Sequence, residues 1–344
     1  MSNKLRFPAE WELQDAVILT WPNEATDWAY ILDEVTECYV NIARAIIEDE
    51  DLIIVTYDIE ETKSQLGDVD YSKIHFYEIA NNDTWARDFG PIGVIKDGSP
   101  LLLDFTFNAW GMKFAADCDN LISMRLAEQG AFDVPLVSNR DLVLEGGSIE
   151  SDGNGTIMTT SMCLLQENRN PWLNREQIEN ELKARLGAEK VLWIENGYLT
   201  GDDTDGHVDT IARFAPDNTI VYVGCDDVND EQYESLKAME EELKHATNAQ
   251  GQPYQLLRLP SPAPICENDI PAFRLPATYA NFLIMNHQVL VPVYSQDCDK
   301  LALDVIQKAF PNRKIIAIDC NALIKQHGSL HCVTMQLFAN TLKK

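Results

Sequence analysis

What most constrains this chain is an order of elements that returns five times: a paired-strand run, a helix, then one more strand. Trp28, Ile31, Leu32, Val35, Tyr39, Ile42, Ala43 and Ile46 recur at helical spacing and predict a helix over 28–48, with a strand over 52–57 behind it. A helix over 119–129 stops at Gly130 ahead of a strand over 134–137. Asn174, with Gln177 three residues on, opens a helix that ends at Gly187 before a strand over 190–194. Two more helices, over 230–246 and 299–310, lead to strands over 254–259 and 314–318. Between these units lie hairpin-like pairs, 92–95 with 101–107, 148–150 with 156–160, 208–214 with 219–223, and 281–285 with 289–294. A fifth pair forms only if 332–338 joins 16–21, which would tie the two ends of the chain together and close a ring. No linker or compositional shift interrupts residues 1–344, so a single α/β domain of pseudo-fivefold repeats is expected.

The conspicuous polar residues fall at matching points of this repeat. Asp88 in Trp85-Ala86-Arg87-Asp88-Phe89-Gly90-Pro91, Glu145 in Glu145-Gly146-Gly147-Ser148, His207 in Gly206-His207-Val208-Asp209, Asn281, and Cys332 in His331-Cys332-Val333-Thr334-Met335-Gln336 each stand at the start of a hairpin. A ring would gather them at one end of its axis. Extended geometry sends Cys332, Thr334 and Gln336 to one face and His331 to the other, which separates His331 from the thiol, and puts His207 and Asp209 on the same side of a strand.

Cys332 needs a base or cation to ionise, and His207 supplies a side chain able to act as base and acid near neutrality. Glu145 would orient the imidazole, and Gly146-Gly147 would let backbone pass close. Asp88 and Asp209 together, with no cation between them, call for a positive ligand, and a guanidinium fork fits a carboxylate pair best. Trp85 and Trp110 are candidate walls for that cation. Asp202, Asp203 and Asp205 lack the terminal glutamate of a calcium loop, so Asp203 and Asp205 are read as substrate contacts and no metal is assigned.

The formal net charge of -28 disfavours a phosphate backbone or anionic lipid as partner and suits a cationic substrate. There is no apolar run of membrane-spanning length, residues 1–6 lack a signal core, and the eight cysteines include no Cys-x-x-Cys pair, so a cytoplasmic protein with free thiols is expected. Homo-oligomerisation stays open.

Taken together, these strings resemble the agmatine deiminase family, grouped with the Porphyromonas-type peptidylarginine deiminases, along nearly the whole chain. Pro8-Ala9-Glu10-Trp11-Glu12, Thr20-Trp21-Pro22, Phe107-Asn108-Ala109-Trp110-Gly111 and Tyr279-Ala280-Asn281-Phe282 carry the resemblance along with the motifs above. It implies a five-bladed α/β-propeller (pentein) that hydrolyses agmatine to N-carbamoylputrescine and ammonia without a cofactor. Cys332 would be the nucleophile, His207 the acid and base, Glu145 the orienting acid, and Asp88 and Asp209 the guanidinium grip. Met112, where a second glycine is expected, and His327-Gly328-Ser329 depart from the pattern near the substrate tail. Alternatives are deimination of free or peptidyl arginine, a thiol amidase built on Cys332 and His207, and a non-catalytic propeller that binds a protein.

Overall fold

A computed structural model describes residues 5–267 and 273–343, so the N-terminal residues 1–4 lie outside it. Five small sheets organise the described residues. Each contains an antiparallel pair whose second strand is followed by helical structure and then by a parallel neighbour. Ile92–Lys96, Ser99–Thr106 and Leu136–Val143 form one such set. Ile149–Ser151, Thr156–Thr160 and Lys190–Ile194 form the next. Ala212–Ala215, Thr219–Val223 and Gln255–Leu259 follow, then Leu283–Ile284, Gln288–Val293 and Lys314–Asp319.

The fifth sheet joins the ends of the chain. Thr334–Phe338 runs antiparallel to Gln14–Thr20, with Thr334 opposite Leu19, and Gln14–Thr20 runs parallel to Asp51–Thr56. Closing this contact between residues more than 300 apart is the pairing that the repeat demanded. A fourth strand, Ile74–Glu78, and the helix Ile59–Leu66 extend this sheet and were not anticipated.

Local chemistry explains most boundaries. In Leu32–Ile47 the buried residues Val35, Cys38, Tyr39, Ile42, Ala43 and Ile46 make one apolar stripe. The residues 27–31 before it wind as a 3₁₀ turn rather than as α-helix. The capping box at Asn174 and Gln177 is formed, and Gly187 ends the helix Arg175–Leu186 at φ 75°, where a side chain would be strained. Residues such as Val17, Ile18, Ile53, Val221, Leu283 and Val291 are fully buried, so the central strands form the core and leave the loops at the strand ends to carry polar groups. Among the described residues no helix is long and apolar enough to cross a membrane.

Candidate active site

The polar residues picked out by the repeat all sit in tight turns just before a hairpin strand, and those turns share a design. The N–H of Ser148 donates to the Glu145 carbonyl (3.2 Å), that of Thr210 to His207 (3.3 Å), and that of Thr334 to His331 (3.1 Å). In each the hydroxyl returns to the same carbonyl, at 2.6, 2.7 and 3.1 Å. Asp88 closes onto Trp85 by the same backbone bond, 3.0 Å. Two expectations change as a result. Asp209 lies in a 3₁₀ turn, Val208–Thr210, that His207 immediately precedes, and Cys332 precedes its strand, because one helical wind at each sheet end replaces extended backbone. The residue equivalent to Glu145 and His207 is therefore His331, and Cys332 follows one place on.

The turns bring the predicted groups together. His207 Nε2 is 3.3 Å from Glu145 Oε2, and its Nδ1 is 3.6 Å from Asp88 Oδ1. Asp88 accepts from the Trp110 indole (2.9 Å) and from the Gly147 N–H (3.0 Å). Asp209 Oδ2 meets His331 Nδ1 at 2.7 Å, while its Oδ1 is buried without a partner. Gly147 must be glycine: a Cβ there would lie 2.6 Å from His207 Nδ1, 2.9 Å from Asp88 Oδ1 and 3.1 Å from Asp209 Oδ2. The Cys332 thiol donates to Asn281 Oδ1 (3.3 Å), which also accepts from the backbone N–H groups of His331 and Cys332. Asn281 thus braces the cysteine turn.

A cleft reaches this cluster at Cys332 and Asp88, with Trp85, Trp110 and Phe114 among its other walls. Asp27, Asp83 and Asp203 also line it, and none of its lining residues is Lys or Arg. Trp110 reaches Asp88 from an unusual segment: Ala109, Trp110, Gly111 and Met112 all have positive φ, at 51°, 53°, 88° and 66°. Three non-glycine residues in a left-handed turn carry strain, and Met112 is 69% exposed with no packing to offset it. Asp205 is spoken for, since Arg169 (2.8 Å) and Lys113 (2.9 Å) take both its oxygens. Asp202 accepts from Thr204 (2.6 Å) and the Gly206 N–H (2.8 Å), so that loop is built from internal bonds.

Charge separates these groups. Burial, then the Asp209 and Asp88 charges, push the Cys332 thiol well above its ordinary value, so it rests protonated. Burial alone would lower His207, but Asp88, Cys163 and Glu145 overcome it and hold the imidazole protonated. Burial raises Asp88 to about 6. Burial works the same way on Glu145, yet Arg169 and His207 outweigh it and keep Glu145 below its ordinary value. Glu145, Cys163 and His207 place metal-type donor atoms within 4.8 Å of one another, as do Glu10, Glu150 and His331. In each group an arginine, Arg169 or Arg213, already occupies a carboxylate.

Residues 6–337 match the family described as Porphyromonas-type peptidyl-arginine deiminase. The chain belongs to that family. A Porphyromonas gingivalis structure, provisionally named an arginine deiminase, is 50% identical with a TM-score of 0.94, covering 99% of this chain and 100% of that one. A substrate-bound cysteine-to-serine variant of C. jejuni agmatine deiminase is 38% identical with a TM-score of 0.92, covering 98% and 97%. A Mycoplasma capricolum protein, provisionally named an agmatine deiminase, is 35% identical over 350 residues, 96% of this chain and 94% of its own. The α/β fold therefore matches that of solved agmatine deiminases.

Within this deiminase-family chain, sequence reasoning missed a supporting layer. Arg169 binds both oxygens of Glu145 through Nε (2.8 and 2.9 Å) and the Thr204 carbonyl through Nη2 (2.6 Å). Glu10, Arg213 and His331 form a second buried group. Nothing in the polar run around Arg169 marks it. His331 was findable from the Ser/Thr three residues after Glu145, His207 and His331, the side chain that closes each turn.

Proposed function

We propose that this protein is an agmatine deiminase, a hydrolase acting on the C–N bond of a linear amidine. The observation that carries the choice is the cleft: among the described residues its acids are Asp27, Asp83, Asp88 and Asp203, with no Lys or Arg to receive a carboxylate. A guanidinium enters between Asp88 and the free Oδ1 of Asp209, flanked by Trp85 and Trp110, and the tail ammonium lies toward Asp83 and Asp203. Homology to named agmatine deiminases supports this reading.

The chemistry follows from the charges. The arriving cation offsets Asp88 and Asp209, whose charges act with burial to hold the thiol protonated, so the Cys332 proton is released to solvent and the thiolate forms; the proton returns when the product leaves. Cys332 Sγ attacks the guanidinium carbon, forming a C–S bond. His207 delivers its proton to one amino nitrogen, the C–N bond breaks, and ammonia leaves from an S-alkylthiouronium. Neutral His207 then takes a proton from water, the hydroxide adds to carbon, and the C–S bond breaks to return the thiolate. The remaining proton leaves with ammonia, so guanidinium and water become urea and ammonium. Glu145, fixed by Arg169, orients His207 throughout.

The same reading takes the five sheets as blades of one ring-shaped domain over 1–344, the five-bladed propeller, acting in the cytoplasm on a small cation with no nucleic acid or membrane partner. Whether homo-oligomers form is separate from this chemistry. Free or peptidyl arginine is the competing substrate, as the P. gingivalis relative's name suggests. A ureido-product assay with agmatine, arginine and an arginyl peptide decides between them. Agmatine should lead in kcat/KM by at least about 100-fold, since a like charge set against these acids costs several kcal/mol. Faster turnover of arginine or the peptide overturns the substrate, and ammonia release that survives Cys332→Ala overturns the mechanism.

A further inference from the structure

Behind the cleft lies a second set of ionic side chains, of which the reaction as written uses only Asp209. His331 Nδ1 is 2.7 Å from Asp209 Oδ2, and its Nε2 is 2.7 Å from Glu10 Oε2. Carboxylates only accept, so both ring nitrogens donate in this arrangement. Arg213 pairs with Glu10 (2.7 Å) and with Glu150, and Arg87 lies 3.9 Å from Glu10. Every member is buried. Asp209, Glu10 and Glu150 thus face Arg213, Arg87 and His331, three acidic side chains against three basic ones.

We propose that His331 is a positioning residue for deimination: it anchors Asp209 through Oδ2 as a carboxylate and leaves Oδ1 turned to the guanidinium. Three observations converge on this role. Asp209 Oδ1 is buried with no partner in the protein, so the anchored carboxylate keeps one oxygen for an incoming donor. Asn281 Oδ1 holds the N–H groups of His331 and Cys332 together, so the turn that carries the nucleophile also fixes the imidazole. His331 occupies the turn position held elsewhere by Glu145 and His207, which are aimed at the same cluster.

The inference rests on the deiminase reading, and its test separates the two. Asp209 is faced by His331, His207, Arg213, Arg87, Asp88 and Cys332. Removing the nearest of the cations raises the pH at which the Asp88–Asp209 pair completes its ionisation. For full-length His331→Gln, the KM for agmatine should rise by at least about tenfold, the loss of one charge-assisted hydrogen bond, with kcat changed much less. The acid limb of kcat/KM should move to higher pH. The double variant Glu10→Gln/His331→Gln removes one charge of each sign, so it should recover thermal stability while the KM defect persists. Wild-type KM and an unmoved acid limb in either variant overturn the role of His331. A wild-type enzyme inert toward agmatine, arginine and arginyl peptide overturns the functional reading, and this inference with it.

Discussion

Asp88 and Asp209 are the same residue type, both buried and both close against Gly147, yet the protein treats them in opposite ways. Asp88 accepts hydrogen bonds only from neutral donors, the Trp110 indole and the Gly147 N–H, and burial together with the Asp209 and Glu145 charges outweighs the lowering by the His207 imidazole 3.6 Å away and leaves it raised to about 6. Asp209 faces the same burial penalty, but His331 bound directly to it, with His207 and Arg213 nearby, keeps it below its ordinary value. One carboxylate is only partly compensated, and in the proposed reaction gains the rest when the cationic substrate binds. The other is compensated in advance and acts as a fixed wall. A site with two Asp88-type acids would resist ionising both, and one with two Asp209-type acids would have little pull left for substrate.

The most damaging way to break this comparison is to fill the gap between the two acids. Gly147→Ala should lower kcat/KM by on the order of 100-fold or more, because its Cβ forces His207 and Asp88 from their positions. Unfolding should change far less than activity, and steady-state kinetics beside a thermal melt would show both.

Asparagine replacements probe the two acids separately. Asp209→Asn should cost about 3–5 kcal/mol of stability at neutral pH by leaving buried cations uncompensated, whereas Asp88→Asn should stay within about 1 kcal/mol of wild type. The pH dependence has opposite signs. Between the ordinary carboxylate range and about 6, native Asp88 holds a proton that the unfolded chain has lost, so its contribution makes stability fall as pH rises through that window. Asp209 contributes stability that is present above the ordinary carboxylate range and is lost as pH falls below it. Denaturant melts of the free protein from pH 4 to 7 should show a shallower decline in Asp88→Asn than in wild type. Equal slopes would mean that Asp88 ionises normally. The smallest effect is expected at the left-handed turn that presents Trp110 to Asp88: Met112→Gly should stabilise by about 0.5–1 kcal/mol, read as a modest rise in Tm.

Much of this was legible along the chain, for identifiable reasons. The stripe from Val35 to Ile46, the capping box at Asn174 and the glycine stop at Gly187 are local, and local periodicity reports them faithfully. The pairing of the last strand with Gln14–Thr20 was legible because four complete hairpins left one strand at each end unpaired. The backbone behind the face assignments was not, although His207 and Asp209 do meet at Gly147 and His331 does turn away from the thiol. A period of two holds only inside a strand, and His207, Asp209, His331 and Cys332 lie in turns just outside, where one residue of winding changes the direction of every side chain.

Sequence by itself determined the repeat, the residue types that stand near its matching points, Cys332, His207, Glu145, Asp88 and Asp209, and the overall negative charge. Those are properties of residue type and spacing, and they survive without coordinates. Only the tertiary structure decided which carboxylate is compensated and by whom. Glu10, Arg169, Arg213 and His331 come from separate stretches of the chain, and the strength of a buried charge depends on distance and dehydration, neither of which is written in the order of residues.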